Sequence, residues 1–558
     1  MRPIGRAAPV RGYPAAALVS ILILGSGGLG AGLHSPARAD SPPTAVGTRL
    51  VPGSTLIYGS TGEPDTLNPE TSGLQVTGDV DSAVFDSLVG YDTSNRPFPR
   101  LASRYSVSPD GLSWSFTLRH GVKWADNQPF TSADVAFTYA SLFNKKNNII
   151  SNVGWDQIKT LSTPDDYTVK MTLKAVFAPF LSDVGTSDIL PKHVYDQPGV
   201  DFNKGPFNRK PFGTGPYMVS EWKTGDHITL IPNPYSWQGQ PHIQKLIFKI
   251  VPNSDTELVQ LRTGELDIGG ITASLSDQAR TIAGKRVVVS DANAWYHIDL
   301  KQYGFLREKA VRQALDYATP KAALLKGILK GHGQLAYADI DPGIKDYYNP
   351  NLPTHPYSLA TASALLKADG FVKGPGGILR KGGQPFHITL WIGTTDTNGQ
   401  KIEPILKSLW GSIGIDVQIR SQSYTTIFAP SGPTYTKDTT GISYAWSNPN
   451  DPDDTQYWAS SQIPKTPTSP GNNSLGYFYQ FDFQEKIDAL TAQGVATVDT
   501  AKRRQIYYQI QAILADEVPV LFLFWLPGFD VVPTDLQGFK PSPFAHTFWN
   551  VVDWRRGA

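Results

Sequence analysis

The segment from residue 85 to residue 139 constrains the fold most, because it passes from turn to strand to capped helix over a short distance. Ser-Pro-Asp-Gly at residues 108–111 is a turn signal. Residues 112–118 then alternate apolar and polar side chains at the period of two that is typical of a half-buried strand. Thr131 and Asp134 form a capping box, which predicts a helix opening at Val135.

This segment and several downstream resemble the family 5 extracellular solute-binding proteins of ABC importers, which include dipeptide- and oligopeptide-binding proteins. The resemblance extends over essentially all of residues 55–555. It implies an α/β, two-lobe periplasmic-binding-protein fold of the large peptide-binding type, with a hinge and an interlobe ligand cleft. The short sequences that carry it are FDSL (85–88), PRLA (99–102), SPDG (108–111), FTLR (116–119), GVKW (121–124), PFTSADV (129–135), GTGPY (213–217), VQLRTGELD (259–267) and VRQALDYA (311–318).

The resemblance also implies a division of the chain. After the signal peptide, lobe I spans residues 40–296 and contains an inserted subdomain at roughly 75–210. Lobe II spans residues 297–519, and residues 520–558 return to lobe I. Hinge strands are expected near residues 296–300 and 520–524.

The first 39 residues predict export. Arginines in the first eleven residues precede an apolar core at 15–24, and Ala-Arg-Ala at 37–39 forms a cleavage site before Asp40. The apolar run is shorter than the roughly 20 residues of a membrane span. A match to the dinucleotide-binding G-x-G-x-x-G motif at residues 25–30 lies inside this signal peptide and outside any βαβ unit, so it is rejected. We expect a mature protein that is periplasmic or secreted.

Composition excludes several kinds of function. The net charge of +1 favours neither nucleic acid nor an anionic membrane, and the basic run at residues 502–504 is predicted to be a solvated helix face. The absence of cysteine excludes disulfides and thiolate chemistry. The chain contains no H-E-x-x-H or G-x-S-x-G motif, and D-x-D-D at residues 451–454 lacks the glycine and the terminal glutamate of a calcium loop. We therefore predict no catalytic residues, no metal and no cofactor.

The candidate ligand contact is the loop at residues 447–454, which follows Trp446 and is predicted to be too polar and proline-rich to belong to the core. In the peptide-binding members that the chain resembles, an aspartate three residues after the tryptophan pairs with the ligand's α-amino group. Here that position is proline, and alignment from the following Asp-Pro places Asn448 there instead. The predicted ligand-binding residues are Trp446, Asn448, Asn450 and Asp451.

The resemblance indicates an exported substrate-binding protein, a monomer that captures a peptide or peptide-like solute and delivers it to ABC permease subunits in the membrane. An oligosaccharide or another neutral polar solute is the first alternative, since a tryptophan and neutral amides are typical of sugar sites. An extracellular hydrolase or a chaperone-like envelope protein is the second.

Overall fold

The computed structural model describes residues 54–469 and 471–557. The predicted signal peptide and its cleavage at Ala39 lie outside these residues. Across the described part of the chain, no helix combines the length and the apolar character needed to cross a membrane.

The strands of the described chain fall into one large sheet and several small ones. They are β1 (Thr55–Ser60), β2 (Val89–Tyr91), β3 (Pro97–Pro99), β4 (Ala102–Val107), β5 (Ser113–Leu118), β6 (Ile158–Asp165), β7 (Thr168–Leu173), β8 (Tyr217–Lys223), β9 (His227–Pro232), β10 (Lys245–Ile250), β11 (Ile268–Gly270), β12 (Lys285–Asp299), β13 (Gln334–Leu335), β14 (Val372–Lys373), β15 (Leu379–Lys381), β16 (Gln384–Pro385), β17 (His387–Gly393), β18 (Asp416–Gln422), β19 (Gly441–Ser447), β20 (Val520–Pro533), β21 (Leu536–Gln537) and β22 (Arg555–Arg556).

The α-helices range from single turns to the long helix near the C-terminus. They are α1 (Gln75–Val84), α2 (Ser132–Leu142), α3 (Phe180–Asp183), α4 (Lys192–Tyr195), α5 (Ser254–Thr263), α6 (Ser276–Ala279), α7 (Lys309–Tyr317), α8 (Lys321–Ile328), α9 (Leu359–Ala368), α10 (Gly399–Ser412), α11 (Tyr424–Ile427), α12 (Thr455–Trp458), α13 (Gln484–Ala496) and α14 (Thr500–Glu517).

The segment at residues 85–139 folds as its sequence pattern predicts. In β5, Trp114, Phe116 and Leu118 are buried and the residues between them are not. The capping box is complete, because the Thr131 side chain accepts from the backbone of the first turn and the Asp134 side chain accepts from the Thr131 N–H. The helix begins at Ser132, slightly before the predicted Val135.

The large sheet runs through both lobes in the order β18-β17-β19-β12-β20-β11-β1-β10-β9-β8, with β13 beside β20. It is mixed: β1 is parallel to β10 and β11, and β17 is parallel to β18 and β19. The parallel trio of β17, β18 and β19 lies at one end, and the five strands β11, β1, β10, β9 and β8 lie at the other.

The two long strands β12 and β20 join these ends. Residues 285–291 of β12 pair with residues 527–533 of β20, and residues 295–299 pair with residues 520–525. The register breaks between Asp291 and Trp295, where Asn293 adopts a positive φ of 44°. The hinge strand predicted near residues 296–300 lies in β12 apart from Leu300, which directly follows it, and the one predicted near residues 520–524 lies in β20. The lobe boundary predicted at residue 296 falls inside β12. The exact lobe boundaries remain predictions.

Several apolar cores stabilise the described part of the chain. One core combines β1 and the neighbouring strands of its sheet end with Phe548 and Trp554 of the C-terminal segment. Another fills the space beneath the four-stranded sheet β4-β5-β7-β6 of the insertion. The core around α7–α10 also includes buried side chains of α5 and α6, and the core around α12–α14 includes Phe544 of the C-terminal segment.

Candidate functional site

The loop at residues 447–454 lies where three parts of the molecule meet. It connects β19 to α12. From the insertion, the Asn95 side chain donates to the backbone oxygen of Asn450 at 2.9 Å. The Asn450 side chain in turn donates to the backbone oxygen of Phe544, in the C-terminal segment, at 3.0 Å. The loop is therefore hydrogen-bonded both to residue 95 and to the C-terminal segment.

A second contact nearby joins the segment that precedes α3 to α13. The Ala178 N–H donates to the Val495 oxygen at 2.7 Å, next to α3. Burial raises the pKa of Asp183 in α3 well above its usual value, and the charges of Asp451 and Asp453 raise it further. The acidic end of the loop thus faces an acid of the insertion.

Trp446 is half-buried at the start of the loop and lies in an aromatic cluster. Its ring stacks on Tyr457 with centroids 4.2 Å apart and meets Trp295 edge-on at 5.4 Å. Packing on both sides fixes the indole orientation and leaves part of its surface accessible, as a rigid apolar wall requires.

Asn448 and Asn450 are buried and hold the loop in place. Asn448 accepts from the Trp295 indole N–H at 2.9 Å and donates to the backbone oxygen of Asp339. Asn450 is 1% exposed, and its amide is bound to Phe544 as described above. The expectation that the loop is too polar for the core is wrong, because Asn448, Asn450, Asp451 and Asp454 are all buried. Hydrogen bonds to other segments hold the first three of these side chains, although the Asn450 Oδ1 has no partner.

Asp451 forms a bidentate ion pair with Arg503 of α14. The two oxygen–nitrogen distances are 2.8 and 2.5 Å, and both side chains are 1% exposed. The Arg503 Nε also donates to the Gly494 oxygen at 2.8 Å. The prediction of a solvated helix face at residues 502–504 is therefore wrong for Arg503. That Asp451 pairs with a ligand ammonium remains a prediction, but both of its oxygens already bind a guanidinium.

Two further acids at the base of the loop have no such partner. Asp454 is 4% exposed and neither carboxylate oxygen has a hydrogen-bond partner. Asp339 accepts from the Trp458 indole N–H at 2.5 Å through Oδ2, while its Oδ1 is unpartnered. Burial raises the pKa of Asp339 to about 6 and that of Asp454 well above its usual value.

These acids border a void of about 10 Å³, which is at the lower limit of the space that can hold one water molecule. The loop from Asn448 to Asp454 supplies most of its wall, and Asp339, Ile340, Ile344 and Tyr457 complete it. A larger and more open hollow of about 340 Å³ lies on the insertion, where the Arg119 guanidinium sits 4.6 Å over the Trp237 ring. Ser103 of β4, residues 118–122 and Trp237 border that hollow.

One more buried carboxyl lies at the same end of the sheet. Glu403 of α10 is 0% exposed; its Oε1 accepts from Ser443 in β19 at 2.6 Å, and its Oε2 is unpartnered. Burial raises the pKa of Glu403 to about 8. This group helps to fix β19, which carries Trp446.

Sequence reasoning selected this loop, whose role in binding stays a prediction, and did not identify the residues from other segments that contact it. Asn95, Asp183, Asp339 and Arg503 come from four distant segments, and no motif links them. In the part of the chain that the structure describes, no group of three or more His, Asp or Glu side chains is arranged to hold a metal ion.

Known proteins match the chain along most of its length. The family model "Bacterial extracellular solute-binding proteins, family 5 Middle" matches residues 96–466. The oligopeptide-binding protein AppA of Bacillus subtilis is 26% identical over 508 residues, covering 90% of this chain and 91% of the relative. Protein XP55 of Streptomyces lividans is 29% identical over 493 residues, covering 87% and 86%.

Solved structures agree with these sequence relatives. AppA from Bacillus subtilis, in complex with a nonapeptide, superposes with a TM-score of 0.77 at 25% identity, covering 91% of this chain and 99% of that one. NikZ from Campylobacter jejuni, in complex with Ni(L-His), gives 0.79 at 25% identity, covering 91% and 100%. The predicted two-lobe α/β fold is confirmed, and the chain belongs to the family 5 bacterial extracellular solute-binding proteins.

Proposed function

We propose that this protein is the exported substrate-binding component of an ABC importer and that it closes its two lobes around a peptide or peptide-like solute. The observation that carries the proposal is the family match over residues 96–466, together with a relative whose solved structure holds a nonapeptide. The sheet is consistent with it, since in the described residues β12 and β20 join the two sheet ends and the register between them breaks midway. Two strands with a break are suited to a hinge.

The ligand would lie against Trp446, with the loop at residues 447–454 as the element that senses closure. Asn448, Asn450 and Asp451 would shape this loop from inside, because each is bound to another part of the protein. Burial weighs against an oligosaccharide, since the amides of Asn448 and Asn450 that would bind sugar hydroxyls are buried and donate to other parts of the protein. A peptide would be held by its backbone and by apolar contact with the indole.

Binding would shift the population from open to closed without chemistry on the ligand. The partner would be a membrane permease whose ATPase is a separate chain. The protein would act as a monomer in the periplasm or outside the cell, after cleavage near Ala39.

Native mass spectrometry of the purified protein tests this proposal. We expect a co-purified peptide-sized mass that is released intact on denaturation, and small-angle scattering should show a more compact particle when that ligand is restored. Recovery of an oligosaccharide would refute the peptide assignment. Recovery of cleaved products would refute binding without turnover.

A further inference from the structure

Three acids from separate segments lie together beside α1. Asp81 belongs to α1, Glu70 to the turn that precedes it, and Asp188 to the segment that follows α3. Burial raises the pKa of Asp81 well above its usual value, and the charges of Asp188 and Glu70 raise it further. Burial and the charge of Asp188 likewise raise the pKa of Glu70 to about 8. The three carboxyl groups therefore face one another.

The surroundings of this acidic group do not balance its charge. Asp81 is 1% exposed, and neither of its side-chain oxygens has a hydrogen-bond partner. Among the described residues, Arg100 is the one cation whose charge lowers the pKa of any of the three acids, namely that of Asp188. Its guanidinium already binds Asp86 at 3.0 and 2.5 Å. An interior acid without a hydrogen bond or a counter-ion is unfavourable, which indicates that a cation is supplied from outside the chain.

The kind of cation follows from the arrangement of the acids. In the part of the chain that the structure describes, no group of three or more His, Asp or Glu side chains is placed to hold a metal ion. A guanidinium or an ammonium is larger and donates several hydrogen bonds in different directions, so it can bind carboxylates that do not converge on one point. We propose that Glu70, Asp81 and Asp188 form a subsite for a guanidinium or ammonium group of the solute.

The subsite lies close to the loop at residues 447–454. Asp183 lies five residues before Asp188 in the chain, a separation of at most about 18 Å. After burial, the charges of Asp451 and Asp453 in the loop contribute most to the raised pKa of Asp183. One short segment therefore faces the loop at one end and the acidic group at the other. A peptide of about five residues is long enough to span that distance.

This inference rests on the proposed function and adds a selectivity to it, since peptides that carry lysine or arginine should bind more tightly than neutral ones. It also predicts a coupling to protons. In the free protein the pKa of about 8 for Glu70 and of about 7 for Asp188 keeps protons on these carboxyl groups at neutral pH. A bound cation favours the ionised carboxylates, so binding should release protons.

The test offers the full mature protein a library of pentapeptides with free N-termini and identifies the retained peptides by mass spectrometry. We expect the wild type to enrich Lys and Arg over Gln by about tenfold or more, and Asp188→Asn and Glu70→Gln to abolish that preference while still binding neutral peptides. The matched control Asp196→Asn removes an acid whose side chain is 59% exposed, and it should keep the wild-type preference.

A second library with acetylated N-termini separates the two sources of an ammonium group. A preference for Lys and Arg that persists after acetylation assigns the subsite to a side chain. Binding that acetylation weakens in the wild type but not in Asp188→Asn assigns it to the α-amino group. Identical peptides and affinities for the wild type and both variants, in both libraries, would overturn this inference alone. Failure to bind any peptide would refute the proposed function together with it.

Proton release gives a readout that does not require any variant to fold. Calorimetric titration of the wild type at pH 7 with a retained Lys- or Arg-containing peptide, in two buffers of different ionisation enthalpy, measures it. We expect release of about one proton per bound peptide, because protonated carboxyl groups have to ionise. Binding of the cationic peptide without proton release would overturn the inference.

Discussion

Asp451 and Asp454 belong to one loop and are both buried, yet their surroundings are opposite. Asp451 has both oxygens bound by Arg503, whereas Asp454 has no hydrogen-bond partner on either oxygen. The difference arises outside the loop, because α14 brings the Arg503 guanidinium to Asp451 and not to Asp454. Two aspartates of one loop can thus have a charged partner or none, depending on which other segments reach them.

Removing Arg503 should produce the largest effect, because it makes Asp451 resemble Asp454. Arg503→Met leaves a buried carboxylate without its cation and should lower the free energy of unfolding by about 3–5 kcal/mol. Urea denaturation measures this. The matched control is the neighbouring Arg504→Met, which breaks an exposed pair with Asp346 and should cost about 1 kcal/mol or less. Equal losses in the two variants would contradict the distinction between the two arginines.

Glu403 extends the comparison to a buried acid outside the loop. Its pKa of about 8 lies above the usual 4.5, so the folded protein keeps a proton that the unfolded chain releases. Its contribution to stability should be complete below pH 4.5 and should be lost as pH rises towards 8, by a few kcal/mol. Glu403→Gln should flatten the stability profile in that window, and exposed Glu485→Gln should not. A profile unchanged by Glu403→Gln would show that this carboxyl is not held neutral.

Asp454→Asn should have the opposite sign to the Arg503 change. Burial raises the pKa of Asp454 well above its usual value and both of its oxygens lack a partner, so folding at neutral pH carries a cost that an uncharged amide avoids. The variant should therefore be more stable than the wild type by about 1–3 kcal/mol. Asp451→Asn should instead be destabilising, because it leaves Arg503 unpaired. Urea titrations compare the two directly. Destabilisation by both would show that Asp454 has a structural partner after all.

Patterns that act locally could be read from the sequence. The capping box at Thr131 and the alternation in β5 depend on neighbours along the chain, and both are confirmed. The loop after Trp446 was also selected from local sequence, and its contact with ligand stays a prediction. The roles of its residues could not be predicted, because Asp451 depends on Arg503, Asn450 on Phe544 and Asn448 on Asp339. These pairs are fixed by tertiary packing, which composition and periodicity do not encode.

The central claim is that the solute binds between the lobes against Trp446, and calorimetric titration of ligand-free protein with the co-purified solute tests it most directly. Trp446→Ala should weaken binding about tenfold or more, because the apolar wall of the site is lost. The control Tyr357→Ala removes an aromatic that is 48% exposed and lies outside the loop, and its affinity should match the wild type. Wild-type affinity in Trp446→Ala, with the protein folded, would contradict the account.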